Sequence, residues 1–128
     1  MTIRLDHTIV PARDKKASAA FFAEIFGLAV EPGGGHFAAV RVNESLTLDF
    51  ADDDEDEGSG SHHYAFVVSD AEFDAIFARV KDRGLAYGSG PFQHTDGKIN
   101  RRRGGRGFYF EDPYGHLLEV MTVPETGS

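Results

Sequence analysis

The 128-residue chain contains no cysteine, which excludes disulfides, thiolate metal sites and a cysteine nucleophile. No apolar run approaches the length that spans a bilayer, so no membrane segment is expected. The N-terminal MTIRLDHTIV lacks a basic stretch followed by an apolar one, so no secretion signal is expected, and the cytoplasm is the expected location. Positive charge is scarce. Against 21 Asp and Glu there are 13 Lys and Arg, a formal net charge of −8. That balance argues against nucleic-acid binding, which rests on neutralising phosphates. What is present, 41% hydrophobic and 27% charged residues, is an ordinary globular composition. The length suits a single domain, residues 1–128, with a real core.

Much of the negative charge is gathered in Asp52-Asp53-Asp54-Glu55-Asp56-Glu57, followed by Gly58-Ser59-Gly60-Ser61. Like charges this dense repel and stay solvated, and the run lacks the glycine and spacing of a calcium loop. It reads as an exposed connector between two modules, about 1–57 and 61–124.

The modules read alike. The first opens with the β-branched run Ile3–Val10, followed by a helix over Lys15–Phe26 whose apolar residues recur at spacing four. Gly27 stands at its C-terminal stop. Strands are expected near His36–Val42 and Ser45–Phe50, with a turn at Asn43-Glu44. The second opens with His62–Val68. Ser69 and Glu72 form a capping-box signature, Phe73, Ile76, Phe77 and Val80 mark one helix face, and Gly84 closes the helix. Strands follow at about Gly107–Glu111 and Leu117–Thr122, joined by the turn Asp112-Pro113-Tyr114-Gly115.

Superposing the halves aligns histidines and carboxylates. His7 precedes Gly27-Leu28 and His63 precedes Gly84-Leu85 by nearly the same interval, and LTLDF (46–50) matches HLLEV (116–120). The repeat selects His7, Asp49, His63 and Glu119. It also selects between the adjacent histidines: His63, on the face of Ala65 and Val67, is the one expected to turn toward a site. Two imidazoles with one or two carboxylates suit Fe, Mn, Zn, Ni or Co as a divalent ion with open coordination positions. Taken singly, each residue has a plainer reading: a hydrogen-bonded core histidine, a glutamate paired with arginine, a surface aspartate. The set is what points to a metal, and His7, His63 and Glu119 already make three ligands.

Leu5-Asp6-His7, Phe21-Phe22-x-x-Ile25-Phe26-Gly27-Leu28, His63-Tyr64-Ala65-Phe66 and above all Asp112-Pro113-x-Gly115-His116-x-x-Glu119 resemble the vicinal oxygen chelate superfamily, the glyoxalase, bleomycin-resistance and extradiol-dioxygenase group. The resemblance implies an α+β fold of two βαβββ modules in pseudo-two-fold pairing, a cup-shaped mixed sheet with flanking helices, and a homodimer. Some relatives draw one site from two chains. It implies metal ligands at His7, His63 and Glu119. Asp49 falls where glyoxalases commonly have a glutamate, a departure that weakens a glyoxalase assignment. His116 is expected to be structural, because alternation points it away from Glu119.

The stretch GSGPFQHTDGKINRRRGGRG between Gly88 and Gly107 has the length of a binding loop. Its basic residues suit a substrate carboxylate or phosphate, with Arg106 the preferred clamp, Asn100 and Lys98 further candidates, and His94 a candidate acid/base. Glu119 or Asp49 is the candidate proton acceptor. The expected function is that of a metal-dependent enzyme on a small oxygenated substrate, with lyase, isomerase or thiol-transfer chemistry ranked above ring cleavage. The alternative is a drug-sequestering protein of the bleomycin-resistance kind.

Overall fold

A computed structural model describes residues 3–33, 35–53 and 60–125. The chain divides into two units, Met1–Gly60 and Ser61–Ser128. Most of the acidic connector, Asp54–Ser59, lies outside the described residues. Asp52, expected within that connector, instead ends a strand, and its carboxylate accepts from the Lys15 N–H at 2.8 Å.

In the first unit, β1 (His7–Ala12) leads into α1 (Lys15–Phe26), then β2 (Ala38–Arg41) and β3 (Thr47–Asp52). Asp14 caps α1 by accepting from the Lys16 and Ala17 N–H groups, and Gly27 ends it at φ 72°, where a Cβ is costly. The sheet runs β1-β3-β2, with β1 parallel and β2 antiparallel to β3. The parallel pair needs the helical crossover that α1 supplies. Strand alternation gives the sheet two unlike faces. Val10, Leu48, Phe50, Ala38 and Val40 are buried on the face toward α1, where Phe22 meets Phe50 with ring centroids 6.0 Å apart. The opposite face carries His7, Ile9, Thr47, Asp49, Ala39 and Arg41.

The second unit repeats the plan with β4 (His63–Val67), α2 (Asp70–Asp82), a short 3-10 turn (Arg102–Gly104), β5 (Gly107–Glu111) and β6 (Leu117–Met121). Both halves of the Ser69/Glu72 capping box are formed. Its sheet runs β4-β6-β5, with β4 parallel to β6. Phe108, Phe110, Leu118 and Val120 are buried toward α2, where Phe73 meets Phe108 edge-on at 5.4 Å. His63, Ala65, Leu117, Glu119, Met121 and Tyr109 share the helix-free face.

Each module thus has two helix-linked parallel strands plus one antiparallel strand, an α+β arrangement. The fourth strand of the expected βαβββ module is reduced to an isolated bridge in both units, Val30 with Val40 and Gly88 with Tyr109. Gly88 shows why the second stays short: a Cβ there would overlap the Gln93 carbonyl, because the chain doubles back against it. Among the described residues, no helix is long and apolar enough to cross a membrane.

Candidate functional site

The helix-free face of the second unit holds a connected polar group. His63 lies 3.0 Å through Nδ1 from the Leu117 carbonyl oxygen and 3.0 Å through Nε2 from Glu119 Oε1. A carbonyl can only accept, so Nδ1 carries the hydrogen. Nε2 then faces a carboxylate oxygen, and two such acceptors stay in contact only with a proton or a cation between them. Glu119 is largely buried, with 12% of its side chain exposed, whereas His63 is 47% exposed at the strand's start.

Tyr109 and Arg102 extend the group. Arg102 Nη1 donates to the Tyr109 hydroxyl at 2.7 Å. A guanidinium only donates, so the Tyr109 oxygen accepts and the phenolic hydrogen points away from Arg102. Burial raises the Tyr109 pKa, and the nearby Glu119 charge adds to this while the Arg102 hydrogen bond opposes it. The rings of His63 and Tyr109 stack with centroids 5.9 Å apart.

The first unit carries the related pattern. His7 pairs with Thr47 and Ile9 with Asp49, as His63 pairs with Leu117 and Ala65 with Glu119. Each carboxylate therefore stands opposite the residue two beyond its histidine. His7 Nδ1 contacts Asp6 Oδ2 at 2.8 Å. The Asp6 hydrogen bond is the largest cause of a raised His7 pKa, reinforced by the Asp6 charge and opposed by burial, with Asp49 adding a further Coulombic contribution. Each unit carries one histidine and one carboxylate in this register, and among the described residues no three His, Asp or Glu side chains are gathered as a metal-holding group.

The loop residues are distributed otherwise than their sequence order suggests. Arg106, expected as a clamp, donates to Asp74 at 2.8 Å and Asp70 at 3.0 Å, and lies 4.3 Å over the Phe73 ring. It is tied to α2, away from the helix-free face. Asn100 holds the loop's base, donating to the Ser89 carbonyl and accepting from the Arg102 N–H. Lys98 is exposed, with its backbone N–H on Asp96. His94 pairs with Glu111 at 2.6 Å beside a 240 Å³ cavity lined by Leu85, Ala86 and Thr95. His116 is fully buried and accepts from the His62 N–H at 2.9 Å, while Asp112 Oδ1 accepts from the N–H groups of Tyr114, Gly115 and His116. The DPYGH segment is thus a turn that locks β6 to the start of β4.

Sequence reasoning overlooked Tyr109, Arg102 and Asp6 as parts of these groups. Tyr109 was reachable by parity, since β5 alternation sets it apart from Phe108 and Phe110. Arg102 was not distinguishable from its neighbours, because its bonding depends on a 3-10 turn.

A family model described as Glyoxalase/Bleomycin resistance protein/Dioxygenase superfamily matches residues 4–120. The chain belongs to this superfamily. Among solved structures of the superfamily fold, Oxidase ChaP-H2 is similar at 47% identity and TM-score 0.91, with full coverage of both chains. Oxidase ChaP-H1 follows at 46% identity and TM-score 0.86, covering 96% of this chain and 98% of its own. Metallothiol transferase FosB of Lysinibacillus sphaericus is 28% identical over 95% of this chain and 84% of FosB.

Proposed function

We infer that this superfamily member is a metal-dependent enzyme that oxidises a small oxygenated substrate with dioxygen as the electron acceptor, with a divalent ion held by His7, His63 and Glu119. The supporting observation is the anchoring of His63. Its Nδ1 is engaged by the Leu117 carbonyl while its Nε2 meets the Glu119 carboxylate, the arrangement by which proteins orient an imidazole for a cation. Asp6 holds His7 Nδ1 in the same manner. The donor set fits Fe, Mn, Zn, Ni or Co.

Bound there, a divalent ion supplies Lewis-acid binding of substrate oxygens. The chain's own residues do the rest. Glu119, the carboxylate paired with His63, is the proton acceptor. Asp49 is the equivalent carboxylate of the first module. His7 belongs to the first module, and His63 and Glu119 belong to the second. Oxidation moves ahead of lyase and isomerase chemistry because the 46–47% identical relatives are named oxidases. Thiol transfer is the second reading, favoured by the FosB likeness.

Elemental analysis of protein purified without an affinity tag tests the metal. One divalent ion per chain is expected, with a lowered content in His63→Ala. A wild-type chain that retains none after exposure to each of the five metals refutes the reading and leaves ligand sequestration. On loaded protein, dioxygen uptake over a panel of vicinal-oxygen compounds marks oxidation, whereas consumption of an added thiol marks transfer.

A further inference from the structure

The 88–107 loop carries five cationic side chains, and the structure sends them to different places. Arg106 is engaged by Asp70 and Asp74 on α2. Lys98, Arg101 and Arg103 are exposed. Arg102 reaches the helix-free face, where its Nη1 donates to Tyr109 at 2.7 Å and its Nη2 to the Ser89 carbonyl at 3.3 Å. The Tyr109 hydroxyl that it grips belongs to the ring stacked on His63, the partner of Glu119, with centroids 5.9 Å apart.

The backbone beneath Arg102 is held as firmly as its side chain. Its N–H donates to Asn100 Oδ1 at 3.2 Å and its carbonyl accepts from the Gly105 N–H at 2.8 Å. The next residue, Arg103, takes the left-handed conformation at φ 55°, a position that disfavours side-chain-bearing residues and fixes the turn. At the loop's entry, Ser89 is bound by Asp96 through its hydroxyl at 2.6 Å and its N–H at 3.0 Å. Arg102 has five N–H donors in a planar fork, and the two bonds just described use one each from Nη1 and Nη2. The remaining donors belong to an exposed, pre-oriented guanidinium. That geometry suits a planar anionic oxygen group, and fixing it in advance removes most of the ordering cost of binding.

We propose that Arg102, braced by Tyr109 and Ser89, is the specificity residue that receives an anionic oxygen group of the substrate, a carboxylate or phenolate, beside the His63–Glu119 pair. The proposal deepens the functional reading above and rests on it for the substrate's location. Tyr109 acts here as a positioning residue: its hydroxyl accepts from Arg102 and its ring stacks on His63.

The test uses benzoate and its neutral counterpart benzamide, titrated into full-length protein by two-dimensional NMR, both with EDTA and after loading with Zn(II). Wild type is expected to bind benzoate more tightly than benzamide. Arg102→Ala should weaken benzoate by roughly 10- to 100-fold and leave benzamide unchanged. Arg102→Lys, which keeps the charge without the fork, should recover only part of the loss. Arg106→Ala should bind benzoate as wild type does. Unchanged benzoate affinity in Arg102→Ala, no charge preference in wild type, or an equal loss in Arg106→Ala each overturns the proposal. Arginine dependence that persists in protein retaining no metal supports the proposal while refuting the metal reading. Retained metal without arginine dependence does the reverse.

Discussion

Replacing Glu119 by Gln tests what the contact between His63 and Glu119 is for. If the pair is only a structural ion pair, the substitution costs stability and nothing else. A charge-assisted hydrogen bond contributes about 1.5–3 kcal/mol when shielded. Here the His63 side chain is 47% exposed, and screening by water reduces the expected loss to about 1 kcal/mol. A glutamine amide can even turn an N–H toward Nε2, so the metal-free variant should stay folded. The larger effect is on metal linkage. An ion present at 100 times its Kd stabilises the native state by about 2.7 kcal/mol. With an unfolding entropy of about 2.1 cal/mol/K per residue, that raises Tm by about 10 °C for 128 residues. A variant binding 100-fold more weakly would retain only about 1–2 °C at the same concentration. Thermal denaturation with EDTA and with Mn(II) reads both quantities. A Glu119→Gln protein that gains as much from Mn(II) as wild type refutes the reasoning.

Ser69→Ala should destabilise the second unit by about 1 kcal/mol in urea denaturation, through loss of the α2 cap. The Glu72 pKa is lowered by the Ser69 backbone and hydroxyl hydrogen bonds, so its contribution is present above the ordinary carboxylate pKa and lost as pH falls through the lowered one. Glu72→Ala should therefore be most destabilising near neutral pH, with the gap to wild type closing in acid. Asp6→Asn removes the carboxylate that orients His7 and should weaken metal binding roughly 10- to 100-fold, measured by competition with a chromophoric chelator. The same variant should show little change in Tm without metal, since Asp6 and His7 are exposed.

Local signals were legible where one short stretch decides the outcome. α1 spans Lys15–Phe26 as its spacing and Gly27 predict, and β5 spans Gly107–Glu111. The capping box at Ser69 and Glu72 needs only four residues to specify it. The shared face of His63 and Glu119 follows from strand parity and the parallel register. Long-range bonding was not legible. The Arg106 partners lie on α2, more than thirty residues away, and Gly neighbours gave no hint of them. Asp52 looked like part of a solvated run because its bond to Lys15 closes only when β3 lies beside β1. The missing fourth strand of the second unit reflects chain reversal at Gly88, a tertiary feature that β propensity does not encode.

The central claim concerns two imidazoles and one carboxylate at a single cation, and pulsed electron paramagnetic resonance of Mn(II)-loaded protein counts the nitrogens directly. Two coordinated imidazole nitrogens are expected in wild type, and one in each of His7→Ala and His63→Ala. Spectra without nitrogen coupling, or coupling that neither substitution changes, would contradict the account.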